Sequence, residues 1–319
     1  MDDIAAVSAP PAQRRIVSLL PSATEILCAL GCTERLVGVT HECDFPDAAR
    51  VKPQLTSSAL PQLASSAEID RHVRASVHAG SSLYALDAAA LERLAPDLIV
   101  TQELCAVCAV SYEIVARAAK QLRGDPRIVS LEPSSLDDVY ANIVTLGDLT
   151  GTAAAATGLV TELRERATRL ERALAGRPKP RALVLEWSDP PMSGGHWTPG
   201  LIELAGGTAV LGNPGANSQT LEWTAIAAAD PDVIVVAPCG YGIDAALAAA
   251  AQLESNAVWR SLRAVQTGRA FVLDGNAYLN RPGPRLIDTA EFLATAFHGE
   301  AFGAAREHAA ALVRLAVSC

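Results

Sequence analysis

Pro96-Asp97-Leu98-Ile99-Val100-Thr101 recurs downstream as Asp230-Pro231-Asp232-Val233-Ile234-Val235-Val236, and that repetition decides the fold. Each copy is a turn dipeptide followed by a short unbroken run of branched aliphatic residues. This is the pattern of a strand buried on both faces, as in a parallel sheet.

Similar runs surround each copy. Around the first are Arg15–Leu20, Leu36–Thr40 and Arg127–Leu131; around the second are Arg181–Glu186 and Ala270–Asp274, the latter read as the final strand. Helical stretches alternate with them. One starts after Pro21, with Ser22 as cap and Glu25 as its capping-box partner, and ends at Gly31. Others are closed by Leu91–Ala95 and carried by Leu201–Gly207. Alternating short strands and helices predict a doubly wound sheet, and the same grammar used twice predicts two Rossmann-like lobes with parallel sheets.

Between the lobes, Thr152–Ala175 is free of proline and rich in Ala, Leu, Glu and Arg, with opposite charges at helical spacings. Gly176, Pro178 and Pro180 stop it. A helix of about 25 residues spans nearly 40 Å, which suits a strut. The expected organisation is an α/β chain with a tail at 1–13 and an N-terminal lobe at 14–148. A single long connecting helix at 149–177 and a C-terminal lobe at 178–319 complete it. The ligand site is expected in the cleft between the lobes.

The 319 residues are 50% hydrophobic and carry a net charge of −9, with no cationic run. That argues against nucleic acid and anionic membranes as partners, and no apolar run is long enough for membrane insertion. The start, Met1-Asp2-Asp3-Ile4, is acidic and lacks an export signal. It predicts a cytoplasmic setting as written, or a periplasmic or cell-envelope one if the N-terminus is incomplete. Seven cysteines, an odd number, do not form a secreted disulfide framework.

In open parallel sheets ligands gather beyond the carboxyl ends of the strands, so the loops there hold the candidates. His41 and Cys43 follow the second strand; Gln102, Cys105 and Cys108 follow the Pro96 strand. One imidazole and three thiolates suit zinc or iron. The alternatives are buried structural cysteines beside a hydrogen-bonded histidine, or a Cys105–Cys108 redox pair. In the second half, Glu186, Trp187, His196 and Trp197 share one loop, Tyr241 follows the Pro231 strand, and Tyr278 and Asn280 follow Asp274. With aromatics at only 4%, such clustering points to a stacking surface, although His196 can also serve as a helix cap and Arg281 can pair locally. There is no phosphate-binding loop, dinucleotide fingerprint, nucleophile elbow or HExxH motif, so no enzyme activity is indicated.

Arg15-Ile16-Val17-Ser18-Leu19-Leu20-Pro21-Ser22-Ala23-Thr24-Glu25, Leu36–Pro46, Pro96–Val100 and Asn280-Arg281-Pro282-Gly283-Pro284-Arg285 together carry a family resemblance. From Arg14 to the C-terminal helix the chain resembles the helical-backbone (class III) substrate-binding proteins of iron-complex and cobalamin uptake, specifically their cobalamin-binding branch. The resemblance implies limited closure on a large planar ligand, cobalamin or a related corrinoid, and an ABC transporter permease as partner. It implies a non-enzymatic, monomeric protein. The residues it would bring to the ligand are Pro21, Ser22, His41, Gln102, Glu186, Trp187, His196, Trp197, Tyr241, Tyr278 and Asn280, with His41 or His196 facing cobalt. A cytoplasmic metal or thiol-redox protein using His41, Cys43, Cys105 and Cys108 is the alternative. Binding of a ferric chelate is a further one.

Overall fold

The computed structural model describes residues 10–58, 65–78, 83–102, 112–119 and 125–316. They fall into two compact units: 1–63, 71–133 and 140–161 form the first, and 64–70, 134–139 and 162–319 the second. The fold is α/β, with two Rossmann-like lobes and a long helix between them in the chain.

The first unit contains β1 (Ile16–Ser18), β2 (Leu36–Val39), β3 (Thr56–Ser58), β4 (Tyr84–Leu86), β5 (Leu98–Thr101) and β6 (Arg127–Ser130). β2, β1, β5 and β6 lie side by side in that order, all parallel. β3 and β4 form a separate antiparallel pair. Val17 and Ile99 are fully buried and pack with Leu19, Leu55, Leu91 and Val115, which is why the middle of each strand run is aliphatic. The helix after β1, Pro21–Ala29, is entered differently from the sequence reading. Leu20 occupies the cap position without a side-chain cap, Pro21 fills the first turn, and Ser22 already lies inside the helix. Proline is suited to that first turn because its missing N–H has no intrahelical partner there.

The second unit contains β7 (Arg181–Ser188), β8 (Pro191–Ser193), β9 (Thr208–Ala209), β10 (Val233–Val236), β11 (Ala270–Leu273) and β12 (Leu312–Arg314). β9, β10 and β11 run parallel to their neighbours, with β9 on one side of β7 and β10 then β11 on the other. This repeats the β2-β1-β5-β6 order of the first unit. Two antiparallel strands depart from the all-parallel expectation. β8 folds back on β7, and β12 pairs with β11, so Ala270–Asp274 is not the final strand. Both are three residues long, too short to show a period.

The connecting helix expected at 149–177 is Ala153–Leu174, preceded by a separate helix that belongs almost wholly to the stretch before it. Leu136–Thr150 ends where Gly151 takes φ +70°, a conformation costly for any residue with a Cβ. Ala153–Leu174 is the long helix, 22 residues. Glu165 and Arg169 pair along it at 3.8 Å. Arg166 is anchored to Asp288 at 2.6 Å and Glu291 at 2.7 Å on the helix Leu286–His298. Among the described residues no helix is long and apolar enough to cross a membrane.

Candidate functional site

In a doubly wound sheet the crevice opens where successive connections diverge to opposite sides. In the first unit that point lies between β1 and β5, and in the second between β7 and β10. The residues just beyond those strands are therefore the ones placed to meet a ligand.

At the carboxyl edge of the first unit, Pro21 and Ser22 follow β1 and Gln102 follows β5; all three are buried. Beneath them runs a hydroxyl chain. Thr24 Oγ1 donates to Ser18 Oγ at 2.8 Å, and Ser18 Oγ donates to the Leu20 carbonyl at 3.0 Å. Cys43 Sγ lies 3.0 Å from Thr24 Oγ1 and is buried. His41, half-buried beyond β2, has Nδ1 at 2.7 Å from Thr56 Oγ1, and its backbone N–H donates to the same oxygen at 3.1 Å. Thr40 Oγ1 lies 2.8 Å from Thr56 Oγ1. The imidazole also packs at 5.7 Å on the ring of Tyr84, whose hydroxyl donates to Glu42 at 3.0 Å. Burial lowers the His41 pKa, favouring the neutral ring. Cys105 and Cys108 lie outside the described residues. Among those described, no three His, Cys, Asp or Glu side chains come together to hold a metal ion.

The carboxyl edge of the second unit is aromatic. Trp187, in the last turns of β7, meets Tyr241, beyond β10, edge to face at 5.3 Å. These two strands flank the crevice, so the topology brings the pair together. The Trp187 indole N–H donates to the Asp189 carbonyl at 3.1 Å. Ser188 Oγ donates to Ser66 Oγ at 3.0 Å, and the Tyr241 hydroxyl sits 3.5 Å from the same Ser66 oxygen. Burial raises the Glu186 pKa against the opposing hydrogen bonds from Ser218 and the Gly195 amide, the latter at 3.3 Å. Gly195 has no room for a Cβ, which would collide with the Ser218 amide.

The remaining predicted residues serve partly as framework. His196 does not cap the next helix; it holds φ +48°, bonds Asn217 Oδ1 through Nε2 at 3.0 Å and stacks on Trp197 at 5.5 Å. Trp197 is only 9% exposed, and its indole N–H donates to the Leu279 carbonyl at 2.9 Å. Asn280 donates its amide to the Ala237 and Gly275 carbonyls at 3.2 and 3.1 Å. Tyr278 packs edge to face on Phe292 at 4.7 Å, with the Arg285 guanidinium over its ring at 5.5 Å. Arg281 is buried and donates to Asn276 at 3.0 Å, the local pairing its position suggests. Thr56, Tyr84, Ser66 and Ser218 escaped the sequence reading, because their roles depend on pairings between distant segments.

A sheet of this order, repeated on either side of a long helix in the chain, is the fold shared with solved periplasmic binding proteins. The chain belongs to the periplasmic binding protein family, whose pattern matches residues 16–277. It is similar to the cobalamin-binding protein of Halobacterium salinarum, 30% identical over 169 residues, 52% of this chain and 45% of that one. The chain thus spans about half the length of that relative. It is 23% identical to the vitamin B12-binding protein of Vibrio cholerae over 89% of each chain. Among solved structures, a periplasmic heme-binding protein from Pseudomonas aeruginosa superposes with TM-score 0.71 at 23% identity, over 96% of this chain and 99% of that one. The periplasmic vitamin B12-binding protein of Vibrio cholerae gives 0.66 at 21%, over 90% and 97%. Members of the family are substrate-binding proteins, which is the class the chain joins.

Proposed function

We propose that the protein binds cobalamin or a close corrinoid, without catalysing a reaction, and presents it to an ABC-type permease. The observation that carries this reading is the sequence similarity to two proteins named for binding cobalamin or vitamin B12, one over 89% of the chain. The chemistry of the second unit supports it. A corrin ring offers broad apolar faces and a rim of amides, which call for aromatic walls and uncharged hydrogen-bonding groups. Trp187, Tyr241 and Tyr278 supply ring surface, while Glu186, whose burial favours its neutral carboxyl, and Ser188 supply the polar contacts. In the first unit, His41 held through Nδ1 by Thr56 offers Nε2 to cobalt. Pro21, Ser22 and Gln102 complete that edge, with Trp197, His196 and Asn280 behind the second.

Titration of the purified protein with cobalamin, followed by calorimetry and the visible spectrum, tests the proposal, with haem titrated in parallel. Saturable cobalamin binding at micromolar concentration is expected. Its absence, or tighter binding of haem, overturns the corrinoid reading.

A further inference from the structure

At the opposite end of the second unit's sheet lies a cavity of about 630 Å3. It opens at the amino ends of β7, β10 and β11, away from the carboxyl-edge residues above. Its walls carry four cations, Arg177, Lys179, Arg263 and Arg269, against one carboxylate, Asp232. Asp232 is already well satisfied. It accepts from the Arg181 amide at 2.8 Å and pairs with Arg263 at 2.7 Å, and the two hold its pKa below the usual carboxylate range. Arg263 also reaches Asp230 at 3.0 Å, and Arg177 pairs with Glu300.

Two cations remain. Lys179 is exposed and makes no ion pair among the described residues. Arg269 spends N–H groups on the Asp232 and Phe297 carbonyls at 3.2 and 2.9 Å, and makes no ion pair among the described residues, although its charge acts on Asp232. His298 lies in the same wall. Its pKa is lowered first by burial and then by Arg177 and Arg269, against the opposing effects of the Ala205 carbonyl and Glu300. Three guanidiniums with one exposed ammonium in the same wall match a multiply charged anion, and Phe297 and Pro178 add an apolar wall for an organic group.

We infer that this amino-edge cavity is a second binding site, one that takes a small phosphate-bearing anion. It is independent of the corrinoid reading. The test is calorimetric titration of the full chain with inorganic pyrophosphate at low salt, repeated on Lys179→Glu and on Arg93→Glu, a charge reversal on an exposed residue of the first unit. The expected result is one saturable site, weakened at least tenfold by Lys179→Glu, unchanged by Arg93→Glu, and weakened by added salt. No saturable binding at millimolar pyrophosphate overturns the inference. So does equal weakening by both substitutions, which would mark a general surface-charge effect. Cobalamin titration of the same samples separates the readings: Lys179→Glu should leave it unchanged, and loss of cobalamin binding in the wild type would leave the anion result standing.

Discussion

At the amino end of its sheet the first unit holds Asp97 Oδ2 against the Arg15 amide at 2.7 Å, and the second holds Asp232 Oδ2 against the Arg181 amide at 2.8 Å. Just upstream, Ala95 and Asp230 end their helices in the left-handed conformation, at φ 40° and 39°. Arg15 reaches the Leu94 carbonyl and Arg181 the Ala229 carbonyl in the same way. At the carboxyl ends the likeness stops. The first unit closes on threonine hydroxyls around His41 and Cys43, and the second on the Trp187–Tyr241 pair. The amino edges are scaffold, bound by the geometry of strand and turn, and the carboxyl edges are free to differ. The exception is Asp232, which has gained Arg263 and a cationic cavity.

Breaking the matched clamps should have the largest effect. Asp232→Ala should cost about 1–2 kcal/mol, because the Arg181 amide loses its acceptor and the exposed Arg263 keeps only Asp230, whereas Asp97→Ala should cost about 1 kcal/mol. Thermal unfolding of the two variants measures the gap, and equal losses would remove the distinction between the two edges. Next, Trp187→Ala should weaken cobalamin about tenfold, roughly 1.4 kcal/mol, with the melting temperature nearly unchanged. Thr56→Val in the first unit should cost about 1 kcal/mol or less, since His41 Nδ1 and the Thr40 hydroxyl lose a shared partner, and denaturant unfolding reads it.

The smallest effect is in the pH dependence, where the two ends of one sheet should act in opposite senses. Burial raises the folded pKa of Glu186, so the stability linked to it is full below about pH 4 and declines as pH rises through the folded value. Glu186→Gln should remove that decline. The Arg181 amide and Arg263 lower the folded pKa of Asp232, so its contribution is present above about pH 4 and is lost as pH falls through the folded value. Stability profiles of Glu186→Gln and Asp232→Asn from pH 3 to 8 should therefore diverge from wild type with opposite slopes.

Much of the scaffold is legible in the sequence because strands buried on both faces must be aliphatic over their whole length. Val233–Val236 and Leu98–Thr101 announce themselves that way. β8 and β12 do not, since three residues fixed by pairing with a longer strand need no pattern of their own. The connecting helix was legible because Thr152–Ala175 is an unbroken run of good helix formers closed by Gly176 and two prolines. Trp187 and Tyr241 were legible because rare rings followed strand runs, but their contact follows from sheet order. Thr56 and Ser66 are ordinary residues until the fold places them beside His41 and Ser188. The amino-edge cations, scattered from Arg177 to Arg269, each read as isolated surface charge.

The helix Ala153–Leu174 holds the last of the points at which the chain passes from one unit to the other, between Thr161 and Glu162. About four backbone hydrogen bonds of an uninterrupted helix pass over such a point. No position there lets the chain be divided into self-sufficient halves, because either fragment would keep a severed helix with unpaired amide or carbonyl groups at the cut. Although the molecule is built from one architectural theme stated twice, a cut inside this helix would leave frayed backbone on both fragments.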